Sequence, residues 1–325
     1  MDPVTAKSPG MTLNLRTFLI VTAISVGYLL LAAWLIGFKG DQVFLVLLFN
    51  TLFYLSGPTR RFILGFSVFI VFWIIFDSMK AFPNYRYNVV HIESIYNAEK
   101  SVFGVTPAAG GGGSRVTPNE YWLAHSNTVL DVLAGLFYIC WIPLPLAFAG
   151  YLFYKDKNAF FKFALTFLLI NLLGFVIYYV YPAAPPWYVE QYGFSFNPHT
   201  PGNTAGLGRF DHLLHVSVFS SLYAKSSNVF AAMPSLHASY PLVTLYYGIR
   251  TRQGWINLLF GTIMVGIWFA AVYSSHHYVL DVLAGIMCGL TGIGLFNLLY
   301  GRAGAFRNFV NTCVRKISVT GAEAP

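Results

Sequence analysis

The chain has 325 residues, of which 56% are hydrophobic, 18% aromatic and only 10% charged. Soluble domains carry about 25% charged residues, so this composition excludes an ordinary soluble globular protein. The formal net charge is +8, but most basic residues lie between apolar segments and not in one stripe. This pattern indicates contact with a membrane and control of topology, and it argues against nucleic acid as a partner.

Apolar segments need about 20 residues to cross the hydrocarbon core, and several parts of the chain are that long. The predicted spans are residues 15–37, 62–79, 129–154, 160–181, 255–273 and 278–299. Two further helices, at 43–55 and 235–249, are predicted to pack inside the bundle, because the first is short and the second begins in a polar motif. We therefore predict an all-α, polytopic transmembrane helix bundle of about six to eight spans, with residues 1–325 as a single membrane domain.

Three other features of the sequence bear on the organisation of the chain. The first apolar segment is long and lacks a small-residue cleavage site, so we interpret it as a retained helix and not as a signal peptide. Residues 108–114, which include four consecutive glycines, are typical of a flexible loop, native or engineered. Cys140, Cys288 and Cys313 are too few and too scattered to indicate a disulfide framework or a metal cluster.

Basic loops tend to stay on the cytoplasmic side, so the Lys and Arg count in alternate segments predicts the orientation. With eight helices, the set that includes the N-terminal segment holds thirteen basic residues and the other set holds seven. Both termini are therefore predicted to be cytoplasmic. The long loops, residues 81–128 and 182–234, and the turn at 274–277 then share the extracytoplasmic face.

That face collects almost every histidine in the chain. They are His91, His125, His199, His212, His215, His276 and His277, with His237 just inside the helix predicted at 235–249. A single loop histidine is usually solvated, and we interpret His199, His212 and His215 in this way. The histidines of chemical interest lie in two compact motifs.

The first motif is MPSLH, at residues 233–237. Proline suits the first turn of a helix, and the free amides that follow can receive an anionic oxygen with the helix dipole behind them. Ser235 adds a hydroxyl group, and His237 lies next to whatever binds there. Taken alone, the motif is equally typical of a helix cap with an interfacial histidine.

The second motif is HHYVLD, at residues 276–281. His277 and Asp281 are four residues apart, which places them on one helical face. A carboxylate that accepts from one imidazole nitrogen leaves the other nitrogen as a nucleophile or base. A polar pair that only joins two helices is the structural alternative, but a second histidine-bearing helix start on the same side favours a site.

A metal site is the other chemistry open to these residues. Two histidines at positions i and i+4 of one helix would have the usual spacing of metal ligands. His237 and His277 lie instead on different helices, and His276 and His277 point apart. We therefore predict no metal and no cofactor.

The two motifs together resemble the second and third signature motifs of the type-2 phosphatidic acid phosphatase superfamily. YPAAPPW at residues 181–187 is similar to the fungal inositol phosphorylceramide synthase branch, and so is the loop at 77–104. The loop residues that carry this similarity are Pro83, His91, Tyr96, Glu99, Phe103 and Gly104. The resemblance covers roughly residues 75–300 and implies that superfamily's helical core.

The resemblance implies that His277 attacks phosphorus, that Asp281 orients it, and that His237 is the general acid and base. Further substrate or phosphate contacts are predicted for Ser235, Tyr181, Pro185, Trp187, Lys80, Arg86 and His276. The phosphatases carry an arginine six residues before the nucleophile, where this chain has Ala271, and residues 181–187 replace their basic first motif. Other cations must balance the phosphate, and Lys80, Arg86, Lys100 and Arg209 lie on the predicted face.

Fewer arginines favour a phosphodiester over a phosphomonoester, because the monoester carries nearly twice the negative charge. The resemblance thus implies transfer of phosphoinositol from phosphatidylinositol to ceramide, with release of diacylglycerol, through a phosphohistidine. The alternative within the superfamily is a lipid phosphatase in which water resolves the intermediate. From another class, a proton-coupled lipid transporter or flippase remains open.

The expected partners are phosphatidylinositol, ceramide and the bilayer. The active site is predicted on the periplasmic or lumenal side. The tail after the last predicted helix, residues 300–325, is short, which favours a bacterial inner membrane over a Golgi membrane.

Overall fold

The computed structural model describes residues 14–107, 114–224 and 228–318. Three features of the sequence interpretation lie outside these ranges: glycines 110–113 of the predicted loop, Lys7 and Lys225. Within the described residues the regular elements are helices, so the all-α prediction is confirmed. Backbone packing divides the chain into two compact units, one up to Ala81 and from Asn308 onward, the other Phe82–Arg307.

The first unit contains three long apolar helices. They are α1 (Leu15–Ile36), α2 (Gly40–Leu55) and α3 (Gly57–Ser78), and α3 continues as a single 3₁₀ turn, Met79–Ala81. The helix predicted at 62–79 begins earlier, at Gly57, because the Ser56 side chain accepts a hydrogen bond from the Thr59 amide and Pro58 fits the first turn. The second half of α15 (Gly304–Ile317) also belongs to this unit.

The second unit contains the remaining helices. They are α4 (Glu93–Phe103), α5 (Pro118–Ala124), α6 (Thr128–Tyr138), α7 (Pro143–Lys155), α8 (Lys157–Val180), α9 (Pro186–Tyr192), α10 (Gly208–Leu214), α11 (Val218–Tyr223), α12 (Leu236–Arg250), α13 (Ile256–Tyr273) and α14 (Val279–Arg302). Single 3₁₀ turns lie at Asn84–Arg86, Ile139–Trp141 and Ala205–Leu207.

Five helices among the described residues are long and apolar enough to cross a membrane: α1, α3 with its 3₁₀ extension, α8, α13 and α14. The pair α6 and α7 makes a sixth if it is one broken span, since its halves meet at 42°. The chain is thus an integral multi-pass membrane protein. The span predicted at 129–154 is broken in its middle, between Tyr138 and Pro143, because Pro143 has no N–H to donate to the preceding turn and its ring clashes with the carbonyl four residues before it.

Small residues let α12 and α14 approach closely in the second unit. The Ser239 hydroxyl of α12 donates to the Gly285 carbonyl of α14 over 2.6 Å. On the other side of α12, the Tyr240 hydroxyl donates to the Asn171 side chain of α8. Close backbone contact and buried polar pairs are the usual means by which helices associate in a membrane.

The two long connections of this unit are joined to each other by backbone hydrogen bonds. His91 pairs with the segment around Ala183, since the His91 amide donates to Pro182 and the Ala184 amide donates to His91. Ala183 pairs in turn with the segment around Ala231. The segment at 181–187 therefore links the first long loop to the chain that enters α12.

Candidate active site

His237 and His277, which are 40 residues apart in sequence, are in direct contact. Nδ1 of His237 lies 3.0 Å from Nε2 of His277. His277 is buried and His237 is partly buried. The contact exists because the start of α12 packs against the first turns of α14, where the Ser235 amide donates to the Asp281 carbonyl over 2.9 Å.

Asp281 is fully buried beside His277. Its Oδ2 lies 3.6 Å from Nδ1 of His277, which is an ion-pair distance and not a hydrogen bond. The same oxygen accepts from the Tyr278 amide at 2.9 Å, and Oδ1 of Asp281 has no hydrogen-bond partner among the described residues. His277 precedes α14 by two residues, so a turn brings the pair together and not the predicted helical face.

Asn119 holds the turn that carries the histidines. Its side chain is fully buried, and Nδ2 donates to the carbonyls of Val272 and His277 at 2.8 and 3.0 Å. Asn119 lies in α5, and no motif in the sequence predicts that it lies near the site. The backbone at His277 is thereby fixed by a side chain more than 150 positions away.

Ser275 has a left-handed backbone, with φ of 57°, which a residue other than glycine seldom adopts. Its hydroxyl donates to Oε1 of Glu190 over 2.6 Å, and its carbonyl accepts from the Trp187 amide over 3.0 Å. Burial raises the pKa of the Glu190 carboxyl, although the Ser275 hydroxyl opposes this. Helix α9 thus fixes the residue that turns the chain toward the two histidines.

His276 points away from the His237–His277 contact. Its Nε2 donates to the Thr204 carbonyl at 2.8 Å, and its ring stacks on Tyr223 at 4.5 Å between centroids. Burial lowers the pKa of His276 to about 3, and the neighbouring His277 acts in the same direction. His276 is therefore neutral and engaged with Thr204 and Tyr223, and a substrate contact of His276 stays a prediction.

Glu99 of α4 is a fully buried carboxylate at the start of α14. Its two oxygens accept from the amides of Val279 and Leu280, at 2.9 and 3.1 Å. Burial raises the pKa of Glu99 to about 7, while the two amide bonds act in the opposite direction. The sequence had marked Glu99 only as part of a family resemblance, with no role.

Aromatic rings form a wall next to the two histidines. The Trp141 ring meets His237 edge-on at 4.4 Å between centroids, and Tyr138 lies 5.1 Å from the same ring. Tyr138 also lies 5.5 Å from the ring of His276. Trp141 reaches His237 because the chain breaks between α6 and α7, where irregular backbone faces protein.

Other residues predicted for the site have separate surroundings. Ser235 is buried, and its hydroxyl has no hydrogen-bond partner in the part of the chain that the structure describes, so it does not cap α12. Helix α12 begins at Leu236, after Pro234 and not at it. Tyr181 stacks on His91 at 3.8 Å between centroids. Pro185 and Trp187 are buried, and Trp187 packs with Ile92, Ala184, Tyr188 and Phe230.

Three of the four basic residues of the predicted face have their own contacts. Lys80 lies in the first unit, where its Nζ is 2.6 Å from Asp77. Arg86 is exposed, and Lys100 lies over the Tyr96 ring. Arg209 donates to Asp131 over 2.6 Å.

Among the described ranges, no three histidine, cysteine or carboxylate side chains converge as a metal site. The groups that meet at the two histidines are imidazole, carboxylate, hydroxyl and aromatic groups. This set can move a proton and supply a nucleophilic nitrogen.

Comparisons with known proteins identify a family and several relatives of this chain. The model of the PAP2 superfamily matches residues 114–295. A phosphoinositol dihydroceramide synthase of Bacteroides thetaiotaomicron is 45% identical over 90% of this chain and 95% of its own length.

Two fungal proteins also match. The inositol phosphorylceramide synthase of Candida albicans is 32% identical over 59% of this chain and 42% of its own length. The catalytic subunit of the Saccharomyces cerevisiae inositol phosphorylceramide synthase is 31% identical over 49% and 40%. No solved structure matches the chain significantly.

Proposed function

The chain belongs to the PAP2 superfamily, and on that premise we propose that it transfers phosphoinositol from phosphatidylinositol to a ceramide and releases diacylglycerol. It is a membrane phosphotransferase of sphingolipid metabolism. The Bacteroides thetaiotaomicron relative, which matches this chain over 95% of its own length, is named a phosphoinositol dihydroceramide synthase. We therefore assign dihydroceramide as the first acceptor.

One observation supports the chemistry most directly: Nδ1 of His237 lies 3.0 Å from Nε2 of His277, while Asp281 lies 3.6 Å from the other nitrogen of His277. A proton on Nδ1 of His277 faces the carboxylate and leaves a lone pair on Nε2. His237 is then the donor across the 3.0 Å contact. The nucleophile and the proton donor therefore meet at one point.

In the first step, Nε2 of His277 attacks the phosphorus of phosphatidylinositol. The bond between phosphorus and the diacylglycerol oxygen breaks, and that oxygen takes a proton from Nδ1 of His237. His237 enters this step as an imidazolium, a form that an adjacent anionic phosphodiester favours. Diacylglycerol leaves, and phosphoinositol stays bound to His277.

In the second step, neutral His237 takes the proton of the ceramide hydroxyl. The hydroxyl oxygen attacks phosphorus and the bond to His277 breaks, which restores both histidines. Two successive displacements let one pocket serve two bulky lipids in turn. The steps require the 3.0 Å contact to open, because phosphorus and the departing oxygen lie between the two rings in an in-line displacement.

We assign the site to the periplasmic or lumenal side, with both termini cytoplasmic, from the count of basic residues. The Ser235 hydroxyl is buried and has no partner among the residues that the structure describes, and we assign it to a phosphate oxygen. Tyr138 and Trp141 lie against His237 and exclude water from the intermediate.

The test uses purified protein and phosphatidylinositol labelled in the inositol phosphate group, with lipids separated by thin-layer chromatography. With dihydroceramide present, we expect label in a new lipid and an equal release of diacylglycerol. Without dihydroceramide, we expect slow release of inositol phosphate. Label that never enters a ceramide-dependent lipid would contradict the transferase assignment.

A further inference from the structure

The first turn of α14 offers backbone amides that compete with His277 for the same carboxylate. Helices leave their first amides without partners inside the helix. Asp281 is the third residue of α14, and side chains at this position often bend back to bond the amides before them. Asp281 already does so once, through the Tyr278 amide.

Glu99 occupies the other amides of this turn that could bind the Asp281 carboxylate. Its two oxygens accept from Val279 and Leu280, the first two residues of α14, across 180 and 181 positions of sequence. Within the described ranges, Asp281 therefore keeps one oxygen, Oδ1, without a partner, while Oδ2 stays 3.6 Å from His277. Both bonds join Glu99 to backbone amides and not to the side chains of His237, His277 or Asp281.

We propose that Glu99 is a positioning residue for the His277–Asp281 pair: by binding the amides of Val279 and Leu280 it keeps the Asp281 carboxylate available to His277. This inference rests on the proposed function. In the absence of the Glu99 carboxylate, the free amides draw Asp281 toward the helix start. His277 then loses the group that fixes its tautomer.

The test compares two buried or capping carboxylates that make the same kind of bond. Glu99→Gln keeps the size of the side chain, but its amino group faces one of the two N–H donors. Asp156→Asn is the matched control, since Asp156 accepts from the amides of Asn158 and Ala159 at the start of α8, both at 2.9 Å. Asp156 lies at the other end of a neighbouring helix, away from the two histidines.

The first measurement is independent of activity. Hydrogen–deuterium exchange in peptides that cover residues 278–286 should be faster in Glu99→Gln than in the wild type, and unchanged in Asp156→Asn. Equal exchange in Glu99→Gln and wild type would overturn the role of Glu99 at the helix start, whatever reaction the protein catalyses.

The second measurement is turnover. We expect kcat of Glu99→Gln to fall about tenfold or more, the scale of misplaced reacting groups, with KM within about twofold. Asp156→Asn should keep kcat. Faster exchange with unchanged kcat would overturn the positioning role, whereas a wild type that transfers no headgroup would contradict the proposed function and leave the exchange result standing.

A pH profile separates positioning from mere support of the fold. The groups that face Glu99 are Asp281 and Tyr278, with Glu120 and Glu190 across Tyr278. Burial raises the pKa of Glu99 to about 7, so the charged form is present above that pH and is lost below it. The ratio of wild-type to Glu99→Gln kcat should therefore shrink as pH falls from about 8 to 6. A constant ratio would contradict the inference.

Discussion

Gly285 of α14 lies directly against the carbonyl oxygen of Ser235: a methyl group added at Gly285 would sit 2.1 Å from that oxygen. This approach carries Ser235 and His237 to the first turns of α14. The 3.0 Å contact between the two histidines thus depends on the absence of a side chain one turn beyond Asp281.

Gly285→Ala should therefore separate the two helix starts. We expect transfer activity to fall at least about tenfold, because the clash is with backbone and reacting groups tolerate little displacement. Activity and thermal stability in detergent are the measurements. Gly294→Ala, in the same helix but with nothing within 4 Å of an added methyl group, should retain both. Equal activity in the two variants would contradict the packing argument.

The two histidines should be equally indispensable. We expect His277→Ala and His237→Ala each to lose more than roughly a hundredfold in transfer, the lower end for a general acid or base, with little change in melting temperature. His276→Ala should lose less activity but more stability, because its ring donates to the Thr204 carbonyl and stacks on Tyr223. An active His277→Ala variant would reject the nucleophile assignment.

Asp281→Asn tests the orientation of His277. One carboxylate oxygen both accepts from the Tyr278 amide and faces Nδ1 of His277. In Asp281→Asn this position holds either an uncharged amide oxygen, which fixes His277 less firmly, or the amino group, which selects the wrong tautomer. We expect the fold to persist and kcat to fall by about a hundredfold or more. Transfer of a labelled phosphatidylinositol headgroup to the protein, followed in rapid-quench samples, measures the first step alone. Turnover within a few-fold of wild type would make Asp281 a structural residue.

The sequence was sufficient for the spans, the family and the two histidine motifs. The length of an apolar segment predicts where a membrane-spanning helix lies, and His237 and His277 lie in motifs with recognisable chemistry. The break between α6 and α7 also had a signal, since Pro143 and Pro145 interrupt the apolar segment at 129–154. A span predicted from apolar composition alone continues through such a break, because the segments on both sides of it are equally apolar.

The supports of the site could not be predicted in the same way. Glu99 and Asn119 bind backbone amides and carbonyls. Because every residue has these groups, the sequence does not indicate which residues the two side chains bind. The pairing of Arg209 with Asp131 depends on how α10 packs against α6. Tyr138 and Trp141 reach the histidines only because the helix breaks beside them.

The orientation in the membrane can be tested at an exposed loop residue. In a background without native cysteines, Ser114→Cys should react with an impermeant maleimide added to intact spheroplasts of a bacterial host, because the thirteen-to-seven distribution of basic residues predicts that this loop is outside. A variant that retains only Cys313, near the opposite-side C-terminal segment, is the control and should react only after permeabilisation. The reverse pattern would overturn the orientation.

The last prediction concerns headgroup charge. Ala271, where phosphatases of the superfamily carry an arginine, is buried in an apolar cluster with Tyr138 and Phe210. Arg209 is engaged with Asp131, and Arg115 donates to the carbonyls of Ser101 and Gly104 at the end of α4. A phosphomonoester, with nearly two negative charges, therefore meets fewer cations here than it needs.

We accordingly expect phosphatidylinositol to be a good substrate and phosphatidic acid a poor one. Each missing charge-assisted hydrogen bond costs roughly 1.5–3 kcal/mol, a factor of about 10 to 100 in rate. The measurement is initial rate for both lipids, with and without dihydroceramide and with and without a chelator, which should have no effect. His277→Ala protein sets the background. Rapid release of inorganic phosphate from phosphatidic acid, together with no ceramide-dependent product from any diester lipid, would favour a phosphatase, because water would then resolve the phosphohistidine despite the aromatic wall of Tyr138 and Trp141.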